Sequence, residues 1–476
     1  MDLRKSKNIL IMAAVLYWVF VIGIYAIANE QFRYKTIEGE APTLEFAIGE
    51  IVDGTEVHQT LEAPAHIVNG FEILAGTYSR ENVGELFVEL LRANGEVIAS
   101  QTINVSELNN GVYTTFFFRQ RAEVVPGEEL SLHLTTQGCV PGNAITIYAG
   151  GSIGASSSEK TYEFGGEKRT GMLCVRLKGF NYLSFYQTYW AIAASMFCVL
   201  SLYTILSWKG AKQGKQNLIA TLCAVYCRYS FLIKQLVSRD FKTKYKRSVL
   251  GMAWSFMNPL LTMSVQYIVF STLFKSNIPN YPVYLLTGIV FFNFFNEAVT
   301  MGMTSITGNA SLIKKVYIPK YIYPVSRILS SLVNFTLAFI PLLLVMLVTK
   351  TKFRPSLLLL IFDILCLLAF IIGMALLLTT AMTFFQDTQF LWGVGCMMWQ
   401  YLTPVFYPES IIPAKMLPFY RLNPLYQYIT FARTCIIDGI SPGPEAYFYC
   451  LFSAVIVLIL GTTVFKKHQN KFVLYL

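Results

Sequence analysis

The chain has 476 residues, 54% of them hydrophobic, 15% aromatic and only 14% charged, with a mean hydropathy of +0.49. Globular chains average about 25% charged residues, so this composition excludes an ordinary water-soluble protein and points to lipid. The net charge of +10 does not indicate nucleic acid, because the most basic stretch lies between apolar segments.

Charge is sorted along the chain. Residues 29–178 hold 20 acids and 11 bases, a net of −9, whereas residues 209–247 hold ten bases and one acid, a net of +9. Lys and Arg close to spans stay in the cytoplasm, so the acidic block is expected outside and the basic one inside. At the start, Arg4, Lys5 and Lys7 precede an uncharged run from Asn8 to Ala28 that is 21 residues long. That run suffices for a hydrocarbon core of ~30 Å and exceeds the ~7–15 apolar residues of a cleaved signal peptide. Residues 1–28 are therefore read as a retained transmembrane helix with a cytoplasmic N-terminus.

From Thr43 to Lys178 the period becomes two. Leu86, Val88 and Leu90 alternate with Phe87, Glu89 and Leu91; Leu130, Leu132 and Leu134 alternate with Ser131, His133 and Thr135; Leu173, Val175 and Leu177 flank Cys174 and Arg176. Alternation means strands with one buried face. Turn signals at Asn94-Gly95, Asn110-Gly111, Pro126-Gly127 and Pro141-Gly142 separate roughly nine short strands, as in an antiparallel sandwich or jelly roll. Residues 29–178 are expected to be an extracellular all-β domain. The nine cysteines are scattered, with only Cys139 and Cys174 in this block, so no disulfide framework is indicated. Cys223 and Cys227 lie one helical turn apart without further ligands nearby, and no metal is expected.

Residues 179–208 form a second span. In the basic segment 209–247, Leu218, Leu222, Val225, Tyr229, Leu232 and Leu236 mark one helical face, with Arg228, Arg239, Lys242 and Lys246 among and after them. A basic amphipathic helix of this kind lies flat on the cytoplasmic membrane surface. The remainder, 248–476, reads as six spans near 249–274, 283–306, 325–348, 356–384, 387–407 and 444–465, about eight in all. The fold class is thus an α-helical integral membrane protein with an inserted β-sandwich. Lys314, Lys315 and Lys320, and Lys466, Lys467 and Lys471 in the tail, follow the positive-inside tendency and give a cytoplasmic C-terminus, while a loop with Lys350, Lys352 and Arg354 runs against it. Between the second and third of the six spans, Asn309 can cap a short helix that Pro319 limits. The expected product is a stiff basic helix about two turns long, rooted in two spans and suited to passing motion from a soluble partner into the membrane.

Several stretches carry a resemblance: Ser238-Arg-Asp-Phe-Lys-Thr-Lys-Tyr-Lys-Arg-Ser-Val-Leu-Gly-Met-Ala-Trp254, Asn258-Pro259-Leu260, Leu312-Ile-Lys-Lys-Val-Tyr-Ile-Pro319, Phe385-Gln-Asp387, Thr403-Pro-Val-Phe-Tyr-Pro408 and Asn423-Pro-Leu425. Together they make residues 217–476 similar to the type-2 ABC export permeases for polysaccharides and teichoic acids. The resemblance implies that 218–247 is an interfacial gate helix and that 309–318 is a coupling helix docking on a separate ATPase. It further implies that 408–440 is an extracellular re-entrant region. It also implies a working unit of two permease chains and two cytoplasmic ATPase chains, with Mg-ATP on the ATPase. The first 208 residues depart from the six-span pattern.

This chain offers no nucleotide site of its own. A phosphate-cradling loop needs Gly-x-x-x-x-Gly-Lys-Ser/Thr, and Gly210-Ala-Lys-Gln-Gly214-Lys215-Gln216 has the wrong spacing and ending. No cofactor is expected in the chain, and it is not read as an enzyme. Asn309, Leu312, Lys314, Lys315 and Tyr317, with Arg239 and Lys242, are the candidate coupling residues. Aromatic rings can hold sugar faces by stacking, and conduction needs contacts that release each unit, which nominates Tyr267, Phe270, Phe274, Phe291, Phe295, Trp399, Tyr401 and Phe406 as channel residues, with helix packing as the competing role. Glu297, Asp363 and Asp387 lie in or beside spans, where a carboxylate is costly; structural pairing, with Arg327 among the partners, is expected.

The leading reading is a plasma-membrane homodimeric permease that exports a lipid-linked polysaccharide or teichoic acid. The β-domain, Tyr78, Tyr113, Phe116 and Tyr148 included, is expected either to bind or shelter the emerging polymer or only to shape its exit. The alternative is a membrane-bound glycosyltransferase or acyltransferase, for which the intracellular segments supply only the widely separated Asp2, Asp240 and Asp387. A sensor would explain residues 1–208 but not the six further spans.

Overall fold

The computed structural model describes residues 3–42, 44–151, 161–212, 229–245, 251–274, 280–315, 318–413 and 415–475. The chain divides into two compact units, Phe32–Tyr186 and a second made of Met1–Gln31 with Gln187–Leu476. Residues 218–228, 246 and 247 of the expected gate helix, and Tyr317, fall outside the described residues, as does the side chain of Phe274.

Phe32–Tyr186 is all β. Its strands are β1 (Tyr34–Glu38), β2 (Phe46–Ala47), β3 (Val57–Glu62), β4 (Ile67–Gly76), β5 (Glu85–Arg92), β6 (Val97–Asn104), β7 (Tyr113–Glu123), β8 (Glu129–Gln137), β9 (Thr146–Gly150), β10 (Thr161–Phe164), β11 (Glu167–Thr170), β12 (Met172–Leu173) and β13 (Val175–Tyr182). One sheet runs β1-β13-β4-β9-β12, with β2 on β9 and β7 on β4; the other runs β11-β10-β3-β8-β5-β6. The expected nine strands become thirteen among the described residues; β2 and β12 are two residues long and β10 and β11 four, too short for an alternation to be read.

Alternation does its work in β3, β5 and β8. Val57 and Leu61, Leu86, Val88 and Leu90, and Leu130, Leu132 and Leu134 all point into one core with Phe71, Ile73, Ile147, Leu173 and Val175. Two glycines permit close strand approach. A Cβ on Gly70 would stand 2.4 Å from the Phe116 carbonyl oxygen, and one on Gly179 would stand 2.4 Å from that of Ile67. Both glycines sit at register shifts, where a bulge re-aims the strand. Glu72 of β4 lies between its register partners Arg176 and Thr115 and is bonded to Arg176 Nη2 (2.5 Å), Lys178 Nζ (2.5 Å) and Thr115 Oγ1 (2.6 Å). Burial raises its pKa, but the bonds from Lys178, Thr115 and Arg176 outweigh that and bring it down to about 2.

The helical unit contains α1 (Leu3–Arg33), α2 (Phe185–Lys212), α3 (Ser230–Tyr245), α4 (Trp254–Phe274), α5 (Tyr281–Met303), α6 (Ala310–Lys315), α7 (Ile322–Val348), α8 (Leu360–Phe384), α9 (Thr388–Leu402), α10 (Leu417–Arg421), α11 (Pro424–Arg433), α12 (Pro444–His468) and α13 (Phe472–Tyr475). Six segments of the described residues are long and apolar enough to cross a bilayer: Ile11–Arg33, Phe185–Ser207, Tyr281–Met303, Ile322–Val348, Pro355–Phe384 and Pro444–Tyr475. α4 adds 21 uncharged residues around Pro259, its apolar run interrupted by Asn258 and Gln266. The expected span 387–407 comes out differently. α9 has 15 residues, about 22 Å at 1.5 Å per residue, against ~30 Å for a crossing. The chain then turns irregularly through Pro404 and Pro408, neither of which can continue a helix.

Helix contacts follow lipid rules, in which small residues let backbones approach. α8 and α12 touch at Gly373 and Gly461; a Cβ on Gly461 would lie 2.1 Å from the Gly373 carbonyl oxygen. α1 and α2 are joined by hydroxyls, Tyr17 Oη donating to the Ala193 carbonyl and Tyr189 Oη to that of Val21, each at 2.8 Å.

Candidate functional site

The site is a cleft in the helical unit. It has a volume of about 210 Å³ and is lined by Lys244 of α3, Trp254, Ser255, Asn258 and Pro259 at the start of α4, Val290, Asn293, Phe294 and Glu297 of α5, and Asn334, Phe335 and Ala338 of α7. The chemistry concentrates on Glu297. Its Oε1 accepts from Lys244 Nζ and from Asn334 Nδ2, both at 2.7 Å. An ammonium and an amide thus offset the cost of a carboxylate in an apolar bundle. Lys244 is reached from the amphipathic helix, so α3 is tied to α5 by an ion pair. A second tie joins it to α7: Asp240, buried on α3, pairs with Arg327 Nε at 3.3 Å and accepts from Arg239 Nη2 at 2.9 Å.

Phe294 and Phe335 are buried and stack on each other at 4.4 Å, whereas Trp254 is exposed; amide and charged groups beside these rings suit a ligand that is polar at its rim and apolar on its ring faces. Sugars have that character.

The three acids separate. Glu297 is paired with Lys244 rather than with Arg327, whose partner is Asp240. Asp363 is completely buried, and among the described residues neither of its carboxylate oxygens has a hydrogen-bond partner. Asp387 is exposed at the head of α9 and makes no side-chain cap there.

The channel aromatics separate too. Phe291 packs edge-on to Phe335, and Phe295 against Phe370, Trp392 and Trp399; both are buried. Phe406 is buried and stacks on Phe270 at 5.6 Å, while Trp399 donates Nε1–H to Asn423 Oδ1 at 2.8 Å. Tyr267 and Tyr401 remain exposed. On α9 the exposed residues Phe390, Val394, Met397, Met398 and Tyr401 form an apolar stripe at helical spacing. In the β unit, Tyr78 is exposed and Phe116 packs against the core.

Of the expected coupling helix 309–318, residues 316 and 317 lie outside the described residues. A 3₁₀ turn at Thr307–Asn309 leads into α6, Ala310–Lys315. Asn309 does not cap it: the residue is buried and its Nδ2 donates back to the Ser305 carbonyl at 2.8 Å, closing the preceding turn. Leu312 and Ile313 pack on a cluster of Ile306, Tyr323, Leu376, Phe465 and Phe472, and Lys314 and Lys315 are exposed. α6 is therefore rooted by its apolar side in four helical elements and presents its lysines outward. Lys242 is likewise exposed, whereas Arg239 is engaged with Asp240.

Three residues escaped the sequence reading. Lys244 and Asn334 complete the Glu297 site, but one lysine among many, or one asparagine in a span, carries no local signal. Arg433 did carry one, as a lone cation in an apolar stretch. It is buried; its Nη1 donates to the Pro404 carbonyl (2.7 Å), its Nη2 to those of Val405 (2.9 Å) and Tyr284 (3.2 Å), and its guanidinium lies 3.4 Å from the Tyr284 ring centroid. It fastens the irregular turn after α9.

Comparison with known proteins decides the family. Residues 231–437 match the family described as ABC-2 type transporter. The chain is 30% identical over 248 residues to an O-antigen export system permease protein from Klebsiella pneumoniae, covering 93% of that protein and 51% of this chain. The chain belongs to the ABC-2 type transporters, among their polysaccharide export permeases. Similarity to this permease extends to an O-antigen export system permease of Myxococcus xanthus, 28% identical with 95% of it covered. A polysialic acid transport protein of Escherichia coli is 19% identical, with 93% of it covered and 50% of this chain. Among solved structures, the VP2 subviral particle of infectious bursal disease virus matches 33% of the chain and 34% of its own at 12% identity and a TM-score of 0.18, too slight a likeness to argue from. The permease is a multi-pass membrane protein, and its family is one of transport subunits.

Proposed function

We propose that this permease exports a lipid-linked cell-surface polysaccharide or teichoic acid, working as a homodimer with two copies of a separate cytoplasmic ATPase that holds Mg-ATP. The observation that carries the reading is the Glu297 cleft, a polar, aromatic-walled recess among apolar helices that is closed on one side by the amphipathic helix through Lys244. In this reading α3 is the gate, and its ties to Glu297 and Arg327 transmit its position to α5 and α7. α6 is the coupling element: Lys314 and Lys315 face the ATPase, and Leu312 relays force into the cluster beneath it. The exposed apolar stripe of α9, with Tyr401, faces the second copy or lipid, and Tyr267 and Tyr401 are the exposed channel rings among the described residues. Both termini lie in the cytoplasm and the β unit outside, which suits its acidic balance.

The test is purification of the full chain in mild detergent with its ATPase, followed by reconstitution. Lys314→Glu with Lys315→Glu is expected to leave assembly of the permease intact while nucleotide hydrolysis no longer drives export. Normal export by that variant would overturn the coupling assignment. Turnover of an activated sugar by this chain alone would overturn the transport reading in favour of an enzyme.

A further inference from the structure

The outward face of the six-stranded sheet carries a row of titratable side chains set by strand register. His58 of β3 stands opposite His133 of β8, His133 opposite Glu89 of β5, and His58 opposite Glu163 of β10 on its other side. Cross-strand partners share a face, so the row reads Glu163, His58, His133, Glu89. Glu56, two residues before His58 and hence on the same face, reaches over the pair. The His58 and His133 rings are stacked, 4.0 Å apart and within 4° of parallel. Glu56 Oε2 lies 3.4 Å from His58 Nε2 and 3.9 Å from His133 Nε2. Glu89 Oε2 lies 3.7 Å from His133 Nδ1, and Glu163 is held by Lys168 at 3.6 Å.

We propose that Glu56, His58 and His133 form a binding site for a divalent transition-metal ion of the Zn²⁺ type, with Glu89 orienting His133. Three observations converge. One ligand atom from each of the three residues falls within 4.8 Å of the others. Zinc bonded to nitrogen at ~2.0–2.1 Å with tetrahedral angles needs ligand atoms roughly 3.3 Å apart and the metal in the plane of each ring, so metal binding turns the exposed Glu56 side chain and swings the stacked rings of His58 and His133 out of parallel. His133 Nε2 is shielded from solvent and has no hydrogen-bond partner among the described residues, although an imidazole nitrogen in that position ordinarily finds one. A metal would satisfy it. Finally, Glu89 Oε2 stands 3.7 Å from the far ring nitrogen, from where a short approach gives the carboxylate support usual for a metal-bound histidine, which fixes the tautomer that leaves Nε2 free to ligate.

Two imidazoles and a carboxylate suit Zn²⁺, with Cu²⁺ and Ni²⁺ as competitors, and they leave a fourth position on the exposed face for water or an anionic group. No core residue is used: the neighbours Val57, Gln59, Leu132, Leu134, Val88 and Leu90 are buried beneath the sheet. The inference rests on the β unit alone and does not depend on the transport reading.

The experiment is equilibrium dialysis of the chelator-stripped full chain, made without a histidine tag, against Zn²⁺. One Zn²⁺ per chain is expected. His58→Ala with His133→Ala should abolish that stoichiometric binding, Glu89→Gln should weaken it about 10–100-fold, and His66→Ala should leave it unchanged. The Co²⁺ form should show visible d–d bands without a thiolate charge-transfer band. A readout needing no variant is histidine carbethoxylation followed by peptide mass spectrometry, in which Zn²⁺ should protect His58 and His133 but not His66. Failure of the wild-type chain to bind one equivalent, retention of that equivalent by the folded double variant, or equal labelling of His58 and His133 with and without Zn²⁺ would each overturn the site.

Discussion

Replacing Arg433 by Lys keeps the charge and removes the fork, and it should loosen the turn that follows α9. The guanidinium donates to three carbonyls, those of Pro404, Val405 and Tyr284. Tyr284 lies in α5, where the amide of Gly288 can serve its carbonyl, so the decisive losses are at Pro404 and Val405. A Lys ammonium is a point donor on a differently shaped stem and cannot span both oxygens as the planar fork does. With the ammonium serving one of the two oxygens, losing the other charge-assisted hydrogen bond gives a destabilisation of about 1.5–3 kcal/mol. Arg433→Met would orphan the same carbonyls while relieving the cost of burying a charge, so it should fall closer to the wild type than the bond count alone implies. The assay is thermal unfolding of the full chain in detergent, followed by monodispersity on gel filtration. Because 1 kcal/mol shifts the midpoint of a 150–250-residue domain by about 2–4 °C, the lysine variant should melt several degrees lower. A midpoint within about a degree of wild type would refute the idea that the fork holds the turn.

Exchanging the cleft charges, Lys244→Glu with Glu297→Lys, should restore part of the export that either single substitution removes, because the pair at 2.7 Å is symmetric in charge; no recovery in a reconstituted export assay would argue against the pair as the link between α3 and α5. Gly461→Ala should lower the melting temperature and the folded yield by overpacking worth about 1–3 kcal/mol or more, since the added carbon would meet the Gly373 carbonyl oxygen at 2.1 Å, whereas Gly395→Ala, with nothing within 4 Å, should be silent; equal melting of the two would contradict the α8–α12 contact. Glu72 has a folded pKa lowered to about 2, below its unfolded value of about 4.3. Its stabilisation is therefore complete above about pH 4.3 and fades as the pH falls toward 2. The melting difference between wild type and Glu72→Gln should shrink from pH 6 to pH 3, and a constant difference would show that the ionised carboxylate is not the source.

Much of the plan was legible in the chain. Apolar runs and alternation read an all-β segment and long apolar helices, because bilayer thickness and the period-two pleat are local constraints that each segment satisfies by itself. The same alternation put His133 on the outward face, since Leu132 and Leu134 must point inward. Aromatic content nominated channel residues, but composition cannot tell a ring that packs from one that faces a cavity, and Phe291 and Phe295 proved to be packing rings.

What the sequence determined by itself is therefore the solvent of each segment: lipid for the long uncharged helices, water for one face of each long alternating strand. What only the tertiary structure decided is which charged and polar groups meet. Lys244 finds Glu297 across 53 positions, Arg433 finds Pro404 across 29, and His58 finds His133 across a sheet whose register no single strand encodes. Hydrophobic burial is additive and non-directional, so a local pattern predicts it. An ion pair, a carbonyl fork or a ligand cluster depends on ångström-scale positions of elements far apart in the chain, and those positions exist only once the helices and sheets have packed.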